Sequence, residues 1–80
     1  MEWVDVTVEC HAGYKADEYP TCFYLENIRY EIVEIFDRWY QAGNRGGLPN
    51  ADYFKIFIEF GTQYLLKHDL EQDLWFLGRK

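Results

Sequence analysis

Two cysteines and two histidines are the side chains in this sequence whose chemistry could bind a transition metal. Thiolate and imidazole are the usual ligands of zinc, and the four candidates are Cys10, His11, Cys22 and His68. Their spacing does not suit a zinc site, because the two cysteines are not separated by two to four residues. Cys10 and His11 are neighbours on a predicted strand, so their side chains point to opposite faces. We interpret Cys10 as a small inward-facing residue and His11 as an exposed one, and we predict no metal and no cofactor.

The same residues could form a thiol enzyme in which a histidine activates Cys10 or Cys22. A cysteine becomes a good nucleophile when a nearby cation or helix N-terminus lowers its pKa. The sequence around both cysteines carries no local signature of a thiol enzyme, and the glycine-rich stretch 42–50 lacks the Gly-Lys-Ser/Thr ending of a phosphate-binding loop. We therefore favour a non-catalytic protein. A metal-binding or thiol enzyme using Cys10, His11 and His68 stays an alternative.

The aromatic side chains are the best indication of function in the sequence. Three Trp, seven Tyr and six Phe make up 20% of the chain, which is more ring area than a small core holds easily. Some rings should therefore lie at the surface, where aromatic patches mark association surfaces. Residues 37–40, Asp-Arg-Trp-Tyr, combine the types that dominate binding hot spots, although Trp39 could equally belong to the core with Arg38 covering it. The predicted binding residues are His11, Tyr14, Lys15, Arg38, Trp39 and Tyr40.

The charge balance restricts the class of partner. Fourteen Asp and Glu against eight Lys and Arg give a net charge of −6, which counts against binding to phosphate backbones and to anionic membrane surfaces. The basic residues are also spread along the chain. Exposed rings could still stack on the bases of single-stranded nucleic acid. We keep nucleic-acid binding as a second alternative and do not favour it.

The length of the chain predicts one small domain, residues 1–80. A chain of this size buries only about 60% of the surface of its unfolded form, so self-association would add useful stability. The N-terminal stretch MEWVDVTVE has neither the basic nor the apolar region of a secretory signal. No apolar run reaches the roughly 20 residues that span a bilayer. We expect a cytoplasmic protein with reduced cysteines and no membrane contact.

Alternation of apolar and polar residues predicts several short strands. Val4, Val6 and Val8 share one face of the first segment, the pattern of a half-buried strand. Glu26-Asn27 is a plausible two-residue turn, because Asn tolerates a positive φ. The predicted strands are 4–11, 21–25, 28–40, 53–58, 63–68 and 74–77. They are joined by the loop 12–20, a flexible loop at 41–52, and turns at 59–62 and 69–73. Gly61 stands in the first of these turns at the position that needs a glycine.

Residues 28–40 are compatible with two kinds of secondary structure. As a helix, they place apolar residues at intervals of three and four. As a strand, they alternate as far as Ile32, where the phase slips at Ile32-Val33 as a β-bulge would produce, and Val33, Ile35 and Asp37 then continue. Because the segment is rich in β-branched and aromatic residues, we favour a long bulged strand. The expected fold is all-β: a small antiparallel barrel or strongly bent sheet of five to six strands, SH3-like in scale. An α+β fold with 28–40 helical is the alternative.

Four motifs together resemble a group of short bacterial proteins to which no function is assigned. They are Cys-His-x-Gly-Tyr-Lys-Ala at 10–16, Pro-x-x-Phe at 20–23, Asp-Arg-Trp at 37–39 and Asp-x-Trp-x-Leu at 73–77. The resemblance covers nearly the whole chain and implies a compact cytoplasmic β fold. It implies no activity, because none of the motifs carries known chemistry.

The leading hypothesis from the sequence is a non-catalytic β interaction domain. It would bind a protein partner, or a second copy of itself as a homodimer, through an aromatic surface. We expect Tyr14 and Lys15 to hold the loop 12–20 against Arg38 and Trp39, so that these residues form the rim of the binding surface.

Overall fold

The computed structural model describes residues 2–11, 19–43 and 49–79. These residues form six antiparallel strands, in chain order β1 (Glu2–His11), β2 (Tyr19–Leu25), β3 (Ile28–Gln41), β4 (Ala51–Ile58), β5 (Gln63–Asp69) and β6 (Leu74–Arg79), with a short 3₁₀ turn, Glu59–Gly61, between β4 and β5. Each strand pairs with the next along the chain, and β6 pairs with β1 to close a barrel. The predicted all-β barrel is therefore confirmed. No helix in the described ranges is long and apolar enough to cross a membrane.

The interior of the barrel is filled by one face of each strand. Phe54, Ile56 and Ile58 alternate along β4 with outward-facing residues, as the sequence pattern predicts. They form a buried cluster with three residues from other strands, Phe23, Leu66 and Leu77. Half-buried apolar side chains pack around this cluster: Val6, Val8, Leu25, Tyr30, Ile32, Ile35, Tyr64 and Trp75. Because period-two alternation puts every second residue on the same face, this core follows directly from the sequence.

The strand β1 is shared between two parts of the barrel. Its first half pairs with β6, from Glu2 to Val6, and its second half pairs with β2, from Thr7 to His11. The pairing with β2 shifts register between Glu9 and Cys10. The extra residue is Thr21 on β2, because Glu9 is opposite Cys22 whereas Cys10 is opposite Pro20, so the alternation along β1 continues. The prediction that Cys10 is a buried residue is wrong: Cys10, next to the last residue of β1, is exposed, and Cys22 on β2 is the buried thiol.

The segment 28–40 is a strand, as we favoured, and not a helix. It pairs with β2 as far as Glu31 and with β4 from Ile32 to Gln41. The register shifts between Ile32 and Glu34, where the sequence predicts a bulge, and again between Ile35 and Asp37, where it does not. The sequence predicts one shared face for Val33, Ile35 and Asp37, and this prediction is wrong. Val33 is 60% exposed, whereas Ile35 packs against the core.

Two tight turns have the backbone conformation that their sequences suggest. Glu26 and Asn27 have φ of 53° and 68°, and two consecutive positive φ values are the mark of the type I′ hairpin turn. Gly61 has φ of 80° in the turn after β4, as expected. The residue before it, Phe60, also has a positive φ, of 72°, which its sequence does not predict.

The connection between β3 and β4 is shorter than the predicted loop 41–52. β3 extends to Gln41 and β4 begins at Ala51, and residues 44–48 lie outside the described ranges, so the flexibility of this loop stays a prediction. Its described ends are tied to the β5–β6 turn: the Asn50 side chain accepts a hydrogen bond from the backbone N–H of Gly43, and the Asn50 N–H donates to the Glu71 carboxylate. These hydrogen bonds hold the β3–β4 connection against the β5–β6 turn, at the end of the barrel where β3 ends.

Candidate interaction surface

Trp39 lies on the outer face of the barrel. Its partner across the β3–β4 ladder is Tyr53, and the two rings stack with centroids 5.2 Å apart and planes 9° from parallel. The Lys55 ammonium lies 5.8 Å from the centre of the Trp39 ring, within the range of a cation–π interaction. The adjacent residues of β4, Phe54 and Ile56, point into the core. Trp39 is thus a surface residue held by its outward neighbours.

Trp3 joins the same surface from β1. Its ring centre is 6.2 Å from that of Tyr53, although β6 and β5 lie between β1 and β4. The residue opposite Trp3 on β6 is Gly78, which has no side chain, so the indole can extend across that strand. The Lys67 ammonium on β5 lies 5.5 Å from the Trp3 ring and 5.9 Å from the Phe76 ring.

These contacts define one surface, which we name the aromatic–lysine face. Its residues share the outer side of the sheet and belong to five strands: Trp3, Trp39, Tyr53, Lys55, Lys67 and Phe76. Two further rings, Phe36 and Phe57, extend it along β3 and β4 with centroids 4.6 Å apart. Trp3 and Phe36 are each 38% exposed. The face therefore presents large apolar rings to solvent outside the core that holds the barrel together.

The charges on the aromatic–lysine face are arranged with cations among the rings and carboxylates beside them. Lys55 is opposite Asp37 across the β3–β4 ladder, and Asp5 is opposite Phe76 across the β1–β6 ladder. A chain of net charge −6 thus places two of its lysines among the rings. The rings can contact apolar groups of a partner, and the lysine ammonium groups beside them can contact its carboxylates.

The neighbours of Trp39 on β3 lie on the opposite face of the strand, at one end of the barrel. The Arg38 guanidinium lies 4.8 Å from the centre of the buried Phe54 ring and 3.7 Å from the Asp52 carboxylate. Tyr40 is opposite Asp52 and is 57% exposed. Arg38 and Tyr40 therefore share a location at the barrel end, whereas Trp39 does not share it with them.

His68 packs against its neighbours at the same end of the barrel. Its ring lies parallel to Trp75, with centroids 4.1 Å apart and planes 3° apart, and Nε2 is 2.8 Å from the Asp73 carboxylate. The His68 side chain is only 13% exposed. This imidazole is packed as part of the barrel end, between its cross-strand neighbours Asp52 and Trp75.

The remaining predicted binding residues lie elsewhere or outside the described ranges. His11 is exposed at the end of β1, where its ring is 5.2 Å from Tyr19 on β2. Tyr14 and Lys15 lie outside the described residues, so their predicted contacts with Arg38 and Trp39 stay predictions. The predicted binding residues that the structure describes therefore lie at three separate places: His11 at the end of β1, Arg38 and Tyr40 at the barrel end, and Trp39 on the outer face.

The strand order separates His68 from the other possible ligands, Cys10, His11 and Cys22. Cys10 and His11 pair with Pro20 and Tyr19 on β2, whereas His68 lies next to Trp75, whose partner on β1 is Val6. A strand rises about 3.3 Å per residue, so five residues of β1 separate His11 from the level of His68. Within the ranges 2–11, 19–43 and 49–79, no three His, Cys, Asp or Glu residues are grouped to hold a metal ion.

A smaller polar cluster covers the outer face of β1–β3. The Tyr24 hydroxyl donates a hydrogen bond to the Glu9 carboxylate, and Arg29 forms an ion pair with Glu31. The hydrogen bond to Glu9 is the main reason that the pKa of Tyr24 lies above its ordinary value of 10.0. The negative charge of Glu9 raises this pKa further. The bond to Glu31 likewise raises the pKa of Arg29.

Replacing Glu9 with glutamine is expected to lower the pKa of Tyr24 toward 10, because the amide carries no charge and is a weaker acceptor. A tyrosine that holds its proton more tightly in the folded state stabilises that state below pH 10. This contribution is lost as the pH rises through the folded pKa. NMR titration of ¹³Cζ-labelled tyrosine measures the shift, with Tyr24→Phe for assignment and Glu59→Gln as the matched acid control. An unchanged Tyr24 pKa in Glu9→Gln would contradict the assigned cause.

Most of the aromatic–lysine face escapes prediction from the sequence. Of its residues, only Trp39 is among the predicted binding residues. A signal was nevertheless present, because Tyr53, Lys55 and Phe57 form the outward face of β4 in the alternation. Rings and a lysine on the face that is normally polar indicate a surface that contacts something other than water.

Comparison of the chain with protein-family models, with curated proteins and with solved structures finds no match.

Proposed function

We propose that this chain is a non-catalytic interaction domain that binds a protein partner through the aromatic–lysine face. The observation that supports the proposal is the group of rings formed by Trp3, Trp39 and Tyr53, with a lysine ammonium over each indole. Trp and Tyr are enriched at binding hot spots because they bury a large area with little loss of conformational entropy. The cytoplasmic setting expected from the sequence is part of the same proposal.

The chemistry of the face indicates the kind of partner. The rings offer apolar contact area, and Lys55 and Lys67 are available to carboxylates that approach over the rings. The partner is therefore a protein segment that combines aromatic or leucine side chains with Asp or Glu. The carboxylates Asp5 and Asp37 at the margin repel a partner that is acidic throughout, which adds selectivity for mixed segments.

Selection from a phage-displayed library of random peptides tests this proposal directly. Peptides that bind the full chain are expected to pair acidic residues with aromatic or leucine residues. Trp39→Ala should weaken the binding of a selected, fluorescently labelled peptide by at least about 30-fold, as for a hot-spot residue. Leu70→Ala is the control, because Leu70 is an apolar residue, 40% exposed, that lies in the β5–β6 turn and outside the aromatic–lysine face. Selected peptides that bind Trp39→Ala as tightly as the unaltered chain, or a failure to select any, would contradict the proposal.

Single-stranded nucleic acid is the second candidate, and one observation favours it. Trp39 stacked on Tyr53 beside Lys55 is the kind of platform on which bases stack. The net charge of −6 opposes it. Titration with a ten-nucleotide oligothymidylate, followed by tryptophan fluorescence at 50 and 200 mM salt, is expected to show no binding. Binding that falls with salt and is lost in Lys55→Gln would favour this candidate over the first.

A further inference from the structure

The turn between β4 and β5 carries an aromatic side chain that is fully exposed. Phe60 is 100% exposed and has φ of 72°, in the left-handed region that bulky residues seldom occupy. Gly61 follows with φ of 80° and open space on its Cβ side. The Ile58 N–H donates to the Thr62 carbonyl, 2.9 Å away, and closes the turn. The turn therefore holds a phenyl ring away from the barrel in a strained backbone conformation.

A mainly apolar groove of about 300 Å³ lies beside this ring. Its apolar walls come from the start of β3, the end of β4, the turn after β4 and from β5: Ile28, Tyr30, Ile58, Phe60 and Tyr64. Ile28 is 54% exposed at its margin. An apolar cavity of about 150 Å³ is enough to hold benzene, so the groove has room for a phenyl ring.

We propose that a second copy of this chain occupies the groove, in a two-fold symmetric dimer in which Phe60 of each copy inserts into the groove of the other. A two-fold interface uses the same patch on both copies, so the patch must be complementary to itself. Here the projecting ring and a groove that fits a ring lie side by side on one patch. A strained, exposed ring next to an apolar groove is explained when a second copy covers both.

The charges around the groove fit the same arrangement. Glu59 precedes Phe60, and Arg29 lines the groove next to Glu31, with which it forms an ion pair. Insertion of Phe60 brings Glu59 of one copy toward Arg29 of the other, and the symmetry repeats this contact. Opposite charges in register would orient the two copies. The patch shares no residue with the aromatic–lysine face, so this inference does not depend on the proposed function.

Sedimentation velocity of the full chain over a concentration series tests the dimer. The mass of the unaltered chain is expected to rise from 9.7 kDa to twice that value. Phe60→Asn should weaken association by at least about 30-fold, while its melting temperature, measured at a concentration where the unaltered chain is monomeric, stays equal or rises, because Asn tolerates a positive φ. A loss of association with no loss of stability separates a contact role from a folding role.

A variant of the groove and a matched control complete the experiment. Ile28→Glu should weaken association to a similar extent, and a mixture of Phe60→Asn with Ile28→Glu should associate more strongly than either alone, because one intact ring-and-groove contact remains. Leu70→Asn, at the other end of the β4–β5 hairpin, should leave association unchanged. A monomer at all concentrations would overturn the inference. Association that survives Phe60→Asn and is lost in Trp39→Ala would also overturn it, by assigning the contact to the aromatic–lysine face.

Discussion

Phe23→Ala is expected to lower the free energy of unfolding by about 3–5 kcal/mol, the range observed for removing a buried aromatic ring. Phe23 is 0% exposed; it stacks on Tyr30 with centroids 5.1 Å apart and meets the Tyr64 ring edge-on at 6.1 Å. Removing the ring leaves a cavity in a core built from residues of several strands, which cannot all close on it. Since small domains are stable by roughly 5–15 kcal/mol, much of the stability should be lost.

Urea unfolding followed by tryptophan fluorescence and circular dichroism measures the effect of Phe23→Ala. Phe36→Ala is the matched control, because Phe36 is also an aromatic residue with a ring partner but is 38% exposed on the outer face. Its loss should cost about 1 kcal/mol, mainly the contact between the two rings. A cost for Phe23→Ala no larger than that of Phe36→Ala would show that the barrel interior is not the main source of stability.

Asp69→Ala is expected to lower the free energy of unfolding by about 2 kcal/mol, because two backbone donors lose a charged acceptor. Asp69 is 4% exposed, and its Oδ1 accepts from the N–H groups of Glu71 and Gln72 at 2.9 and 3.1 Å. The same turn holds the β3–β4 connection, since the Leu70 N–H donates to the Asn50 carbonyl. The change should therefore loosen both connections at this end of the barrel.

Asp69→Asn distinguishes the hydrogen bonds from the volume of the side chain. The asparagine oxygen can still accept from the two N–H groups, so its cost should be clearly smaller than that of alanine. Gln72→Ala, an exposed change in the same turn, should alter the stability by less than about 0.5 kcal/mol. Thermal unfolding at neutral pH measures all three variants. Equal costs for alanine and asparagine at position 69 would exclude the hydrogen bonds as the cause.

The strands were predictable because their signals are local. Alternation along β4 assigns Phe54, Ile56 and Ile58 to the core without reference to any other segment, and Glu26-Asn27 carries its own turn preference. β3 was harder to predict. Its β-branched residues favoured a strand, but a second bulge near Phe36 cannot be read from residue types, because it depends on the register with β4.

The position of the candidate surface was beyond local prediction for the same reason. Each bulge reverses which residues face outward. A count along 28–40 that includes only the predicted bulge places Trp39 on the inner face with Ile35, whereas the second bulge turns it outward. Alternation along β1 also assigns Cys10 to the core, but it cannot show that this end of the strand is exposed, because exposure depends on which neighbouring strands cover it. These errors fall at a bulge and at a strand end, where alternation alone does not decide burial.

The sequence by itself determined the class of fold, the core and the surplus of rings that a small core cannot hold, because these follow from composition and from period-two alternation. Only the tertiary structure decided where the surplus rings lie. Trp3 and Tyr53 are fifty positions apart and meet because closure of the barrel sets four strands in register and Gly78 leaves room between them. The contacts on which the proposals depend are non-local, and a local pattern holds no information about which strands become neighbours.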